Sequence, residues 1–253
     1  MNRFLRRLSA LSLPACICVS AQADVAQVAV AANFAEPIKA VAAELHKTTG
    51  HTLAVTLGGT GKLYAQIRNG APFDVLLAAD SDTPARLERD GLAQPGSRFT
   101  YATGRLVLWS PDAQRVDAQG DVLKQGRFQR LAYANPKTAP YGAAATEVME
   151  RLGLSAALAP KLVQGESIGQ TMGFVATGNA ELGFVALSQV LEGGKLKSGS
   201  MWLIPQTLYR PIHQDAVLLR HGAANPAASA LLALLASPRI RELILSYGYT
   251  VQG

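Results

Sequence analysis

The chain has 253 residues, 49% of them hydrophobic, 17% charged and 6% aromatic, with a formal net charge of +6. That composition suits one globular unit or two small domains and excludes the disordered, collagen-like, coiled-coil and disulfide-scaffold classes. The basic excess points to no nucleic-acid partner: without Arg3, Arg6 and Arg7, which lie in a segment read below as removed, 21 basic residues face 18 acidic ones, a balance of +3.

Residues 1–23 have the parts of a secretory signal peptide: a basic start, an apolar stretch from Leu8 to Val19, and Ala21-Gln22-Ala23 as a small-x-small cleavage pattern. The apolar stretch covers about a dozen residues and Pro14 interrupts it, where a membrane span needs roughly 20. Export to the periplasm is predicted, with the mature chain starting at Asp24. Cys16 and Cys18 both fall inside the signal, so the exported chain has no thiol, disulfide or cysteine metal ligand. Lipidation at Cys16 would leave too short an apolar region before the cleavage point.

From Asp24 onward, short β-branched or apolar runs alternate with helical patterns. A strand at Gln27–Ala31 leads to a helix at Ala35–Thr48, where Ile38, Val41, Ala42 and Leu45 recur at helical spacing. Strand Thr52–Leu57, helix Lys62–Asn69, strand Val75–Ala79 and helix Thr83–Asp90 follow. Strands at Arg105–Trp109 and Arg130–Ala134 precede helices Gly142–Leu152 and Ile168–Thr177. The rest reads as strand Leu182–Val185, helix Leu187–Leu191, strands Met201–Ile204 and Ile212–Leu219, and helices Ala227–Ala236 and Arg239–Tyr247. This alternation is the signature of βαβ units and mostly parallel sheets, and about 230 mature residues suit two α/β lobes. Boundaries are expected at Tyr101–Gly104 and Tyr209–Pro211. One lobe is then discontinuous, 24–103 plus 213–253, the other is 104–212, and two connections between them form a hinge.

Enzymatic signatures are missing. Gly58-Gly59-Thr60-Gly61-Lys62 invites a phosphate-loop reading, but that pattern needs Gly at position 56, which is Thr56, and Ser or Thr at position 63, which is Leu63. No Gly-x-Ser-x-Gly or Ser-x-x-Lys occurs. The histidines His46, His51, His213 and His221 include no i,i+4 pair, and no metal site is suggested. Asp80 and Asp82, after a strand, read as a turn and helix cap.

What does recur is a small or hydroxyl residue where a strand meets a helix: Ala31-Ala32-Asn33, with Asn33 as an N-cap, Gly58-Gly59-Thr60-Gly61, Pro140-Tyr141-Gly142 and Glu166-Ser167-Ile168-Gly169. Each helix N-terminus carries unpaired N–H groups and about half a positive charge, so several converging on one point make an anion site without a cationic side chain. Such a site suits a fully deprotonated oxyanion. Taken singly, each junction reads as an ordinary N-cap.

Five motifs in order bear a resemblance across the mature chain. They are Ala31-Ala32-Asn33-Phe34, the run from Gly58-Gly59-Thr60-Gly61 to Gly70-Ala71-Pro72-Phe73-Asp74-Val75, Ala78-Ala79-Asp80, Asn135-Pro136-Lys137-Thr138-Ala139-Pro140-Tyr141-Gly142, and Gly183-Phe184-Val185, with Tyr247-Gly248-Tyr249 near the end. Together they resemble the periplasmic molybdate-binding proteins of ABC importers. The resemblance implies an α/β, two-lobed type II periplasmic-binding fold with the ligand cleft at the hinge. It also implies uptake of molybdate or tungstate through a membrane ABC permease, by a monomer with no enzymatic activity and no cofactor. Molybdenum is then held only as its oxyanion, with no direct protein–metal ligand.

Carried over by position, the implied ligand residues are Ala32 and Asn33, Thr60, Tyr141 and Ile168. Asn33 replaces a hydroxyl by an amide that can still donate. Thr60 keeps the hydroxyl, and Tyr141 and Ile168 serve through backbone N–H, with the Tyr141 phenol as an added donor. A tyrosine hydroxyl that some relatives place at Ala186 is missing, and Lys62 reads as a solvated helix residue. The alternatives are a carrier of another anion, such as sulfate, phosphate or a carboxylate held by an arginine from among Arg68, Arg105 and Arg210, or a secreted hydrolase.

Overall fold

The computed structural model describes residues 23–251. The predicted signal peptide up to Gln22, with both cysteines, lies outside the described residues.

Two five-stranded sheets carry the fold. In the first, β1 (Val25–Ala31) runs through the interior, with Val28, Ala29 and Val30 fully buried on both faces. α1 (Ala35–Thr49) follows a 3-10 turn over Ala32–Phe34 and buries Ile38, Val41 and Leu45; Gly50 ends it at φ 76°, the left-handed cap that glycine takes without penalty. β2 (Thr52–Gly58) lies parallel to β1 in a register running from Val25↔Thr52 to Ala31↔Gly58. The two strands therefore end level, which sets their strand-to-helix turns side by side.

α2 (Thr60–Arg68), β3 (Val75–Leu77) and α3 (Asp82–Arg89) continue this sheet, which β4 (Phe99–Gly104) closes. Only Arg105 separates β4 from β5 (Leu106–Ser110), which belongs to the second sheet. There α4 (Val122–Gln125), β6 (Leu131–Ala134), α5 (Pro140–Arg151), α6 (Ser155–Leu158), β7 (Leu162–Gly165), α7 (Ile168–Ala176), β8 (Leu182–Ala186) and α8 (Leu187–Val190) follow in order. β6 and β7 are parallel and again end level, at Ala134↔Gly165.

A small hairpin of β9 (Leu191–Glu192) and β10 (Lys195–Leu196) leads to β11 (Ser200–Leu203) on the sheet edge. The chain then returns to the first sheet as β12 (Ile212–Leu218), antiparallel to both β3 and β4. α9 (Pro226–Leu235) and α10 (Pro238–Ser246) pack Leu231, Leu235, Ile240 and Ile244 onto that same sheet, and Thr250 bridges to Thr103. The strand orders are β2-β1-β3-β12-β4 and β11-β5-β8-β6-β7.

Several expectations are corrected. Tyr101–Gly104, expected to precede a strand, is itself the second half of one, β4; Phe99-Thr100-Tyr101-Ala102-Thr103-Gly104 lacks an apolar run because the Tyr101 and Thr103 hydroxyls find partners inside. β7 escaped notice because it is a four-residue edge strand. The predicted Val75–Ala79 strand stops at Leu77, and buried Ala78 and Ala79 continue as the turn. Arg105 lies between strands rather than in one.

Candidate anion-binding site

Because each parallel pair ends level, the four strand-to-helix junctions converge on one small cavity. Ala32 and Asn33 line it after β1, Gly59 and Thr60 after β2, Tyr141 after β6, and Ile168 after β7. All five residues expected at the site are thus brought together. Two larger open grooves flank it.

Pro140 occupies the first position of α5, so Tyr141 carries the first N–H of that helix, and Ile168 carries the first of α7 behind the Ser167 cap. Neither has an acceptor within its own helix, and both point with the positive end of the helix dipole. The Ser167 hydroxyl accepts from Gln170 N–H at 3.2 Å, which leaves the first-turn N–H of Ile168 for the cavity. Thr60 begins α2 and is 1% exposed. Its Oγ1 accepts from Ala79 N–H at 3.0 Å, so the hydroxyl proton is directed elsewhere. A hydroxyl fixed in this way is a donor for an oxyanion.

Asn33 departs from expectation. It caps no helix; it sits inside the 3-10 turn with no side-chain cap bond. Its carboxamide is drawn to buried groups on two other elements: Nδ2 donates to Gln214 Oε1 at 2.8 Å and to Tyr249 Oη at 2.9 Å, and Oδ1 is buried without a partner. Tyr141 Oη accepts from Gln214 Nε2 at 3.0 Å, so the phenol faces the hinge strands. Burial raises the Tyr101, Tyr141 and Tyr249 phenols well above their ordinary range, which keeps all three neutral. Gln214 and Tyr249, which hold the Asn33 side chain without lining the cavity, are given no role by the sequence reading. The signal for Gln214 was present, because the polar pair Gln214-Asp215 interrupts an apolar strand; the structure buries both completely.

Direct contacts cross the cleft. Gly61 N–H donates to Thr138 O at 2.9 Å, and Ser188 Oγ donates to Asn33 O at 2.8 Å. A Cβ on Gly59 would lie 3.1 Å from Glu166 O, one on Gly61 3.0 Å from Thr138 Cα, and one on Gly169 3.0 Å from Ala32 Cβ. Glycine eases the close approach at these positions, where a Cβ would make its neighbour give by a few tenths of an ångström.

No charged side chain lines the cavity. Lys62 is exposed. Arg210 pairs with Glu147 at 2.6 Å, and Arg68 stacks near the Tyr64 ring at 5.9 Å. Asp80 accepts from Thr83 N–H at 2.8 Å and from its hydroxyl at 3.1 Å, which is helix capping. Ala186 ends β8 and is fully buried, its N–H donating to Gln189 Oε1 at 3.0 Å. Among the described residues no group of three or more His, Cys, Asp or Glu side chains is placed to hold a metal ion.

The profile of bacterial extracellular solute-binding proteins matches residues 26–250. The chain belongs to that family. It is 57% identical over 233 residues to a molybdate-binding protein of Azotobacter vinelandii, covering 92% of each chain. To a molybdate-binding protein of Rhodobacter capsulatus it is 51% identical over 244 residues, covering 96% of this chain and 95% of that one. A solved periplasmic molybdate-binding protein of Azotobacter vinelandii superposes with a TM-score of 0.87 at 39% identity, covering 90% of this chain and all of the other. The architecture of this family member is the two-lobed type II periplasmic-binding fold, and its relatives are solute carriers.

Proposed function

We propose that this solute-binding protein captures molybdate, and tungstate with it, in the periplasm and delivers it to a membrane ABC permease. The observation that carries the reading is the uncharged cavity at four converging helix starts, in a chain so close to molybdate carriers. Ala32, Asn33, Thr60, Tyr141 and Ile168 hold the anion, and the protein acts as a monomeric carrier without cofactor or catalysis. The exported chain begins at Asp24, and the lobes are 24–103 plus 213–253, and 104–212.

The mechanism is hinge closure. The open form admits the dianion, and the closed form is selected because only it offers donors from both lobes. Each charge-assisted bond is worth about 1.5–3 kcal/mol, so roughly seven offset the desolvation of the ion. Neutral donors leave selection to size: sulfate has the same charge and shorter bonds, and the direct bonds from Gly61 N–H to Thr138 O and from Ser188 Oγ to Asn33 O keep the lobes from following it inward.

Calorimetric titration of the mature chain with molybdate, tungstate and sulfate tests this. Tight binding of the first two with sulfate silent is expected. Equal affinity for sulfate, or silence for all three, overturns the reading.

A further inference from the structure

Gln214 lies at a β-bulge in β12, where the register against β4 shifts between Gln214 and Asp215. Bulges re-aim side chains, and here consecutive residues are both fully buried instead of alternating. Gln214 is the hub of a hydrogen-bond network that spans the cleft. Its Oε1 accepts from Asn33 Nδ2 at 2.8 Å and Tyr101 Oη at 3.1 Å, while its Nε2 donates to Tyr141 Oη at 3.0 Å. In this sense of the network both Nδ2 protons of cavity-lining Asn33 are spent on Gln214 and Tyr249, and its Oδ1 is a buried acceptor without a partner, which an oxyanion cannot use.

The same heavy-atom positions support the opposite sense. If both carboxamides turn over, Asn33 Oδ1 takes the place of Nδ2 and accepts from Gln214 Nε2 and from Tyr249 Oη, whose one proton leaves Asn33 O and Ser188 Oγ, 2.9 and 3.0 Å away, while Asn33 O keeps the bond from Ser188 Oγ. Gln214 Oε1 then accepts the Tyr141 phenol proton, and Tyr101 Oη accepts from Gln214 Nε2 while donating to Ala78 O, 3.1 Å away. The orphaned acceptor disappears, and Asn33 Nδ2 becomes a donor to the cavity. Amide oxygen and nitrogen are nearly equal in size, so the inversion needs no repacking. A Cβ on Gly104 would collide with Tyr141 Oη and Gln214 Nε2, so the backbone at the hinge is shaped around this relay.

We propose that Gln214 is a positioning residue that sets the sense of the Asn33 amide, turning it to donate when an oxyanion enters the closed cleft. Because Tyr141 comes from the opposite lobe, the donor sense is complete only when the lobes meet. This rests on the oxyanion reading above.

The test is a double-mutant cycle on the mature chain, read by molybdate calorimetry, with Gln214→Met and Asn33→Ala singly and together. Gln214→Met is expected to weaken binding about tenfold, the worth of one charge-assisted hydrogen bond. In the Asn33→Ala background it should change binding less than about twofold, because the group it positions is gone. Tyr141→Phe, a smaller change, should follow the same pattern. Side-chain amide ¹⁵N spectra supply a readout that a merely structural role leaves still: the Asn33 and Gln214 signals should both shift on molybdate addition in the wild type. Additive losses in the cycle, or amide signals unmoved by ligand, overturn the role of Gln214 while the oxyanion reading stands. A wild-type chain silent to molybdate overturns both.

Discussion

The two lobes meet the same cavity with different chemistry. On the first, Thr60 and Asn33 bring side chains whose hydrogen bonds must be oriented from behind, by Ala79 N–H for Thr60 and by Gln214 and Tyr249 for Asn33. On the second, Tyr141 and Ile168 bring backbone N–H groups oriented by their helices. A side-chain donor can be deleted by one substitution, whereas a backbone donor persists through almost any. The first lobe is therefore vulnerable to chemistry and the second to geometry.

The sharpest way to break that contrast is to keep every donor and spoil the approach. Gly61→Val puts a side chain against the Thr138 backbone across the cleft. Overpacking there should cost about 3 kcal/mol of binding, roughly 100-fold in Kd. Calorimetry should record that loss, with the ligand-free thermal midpoint nearly unchanged and no compaction on ligand addition in X-ray scattering.

Thr60→Ala deletes the hydroxyl donor and should weaken molybdate binding by about 1.5–3 kcal/mol, whereas Thr60→Ser should recover most of it. If Thr60→Ala bound as tightly as wild type, the Thr60 hydroxyl would have no part in the first lobe's chemistry. Ile168→Val is the matching change on the second lobe. Its N–H is retained, so the shift in affinity should stay below about 1 kcal/mol, with a similar stability loss from the missing methylene in a thermal melt.

The smallest expected effects are on pH-dependent stability, where one carboxylate in each lobe has the opposite sign. For Glu181, burial pushes the carboxyl up, but N–H donation from Gln129 and Arg130, its own backbone and the Arg115 charge together hold it below the usual range. A lowered folded value gives stability that is present above the unfolded value and lost as pH falls through the folded one. Burial raises Asp80 despite its bonds to Thr83, so its contribution is present at low pH and lost as pH rises. Urea midpoints across the carboxylate titration range should show Glu181→Gln flattening the acid-side loss and Asp80→Asn flattening the loss on the other side. The same slope in both variants would refute the contrast.

Much of the fold could be read from residues alone. Alternating apolar runs and helical periodicity marked most strands and helices, because buried parallel strands such as β1 are apolar throughout and helices such as α1 show their buried face at regular spacing. Phe99–Gly104 and Leu162–Gly165 stayed hidden, one because its buried hydroxyls look like loop chemistry and the other because an edge strand of four residues carries too little pattern. The junction residues stood out because small and hydroxyl residues before a helix leave N–H groups free.

The sequence by itself determined which residues begin helices after strands, and with them the supply of N–H and hydroxyl donors, since capping and propensity are local. Only the tertiary structure decided that four such starts share one cavity, through strand registers that end level in both sheets. It alone turned Asn33 from a cap into a member of the Gln214 and Tyr249 network, across separations of 181 and 216 residues. The direction of a buried amide is fixed by partners it meets only after folding, and no local pattern encodes them.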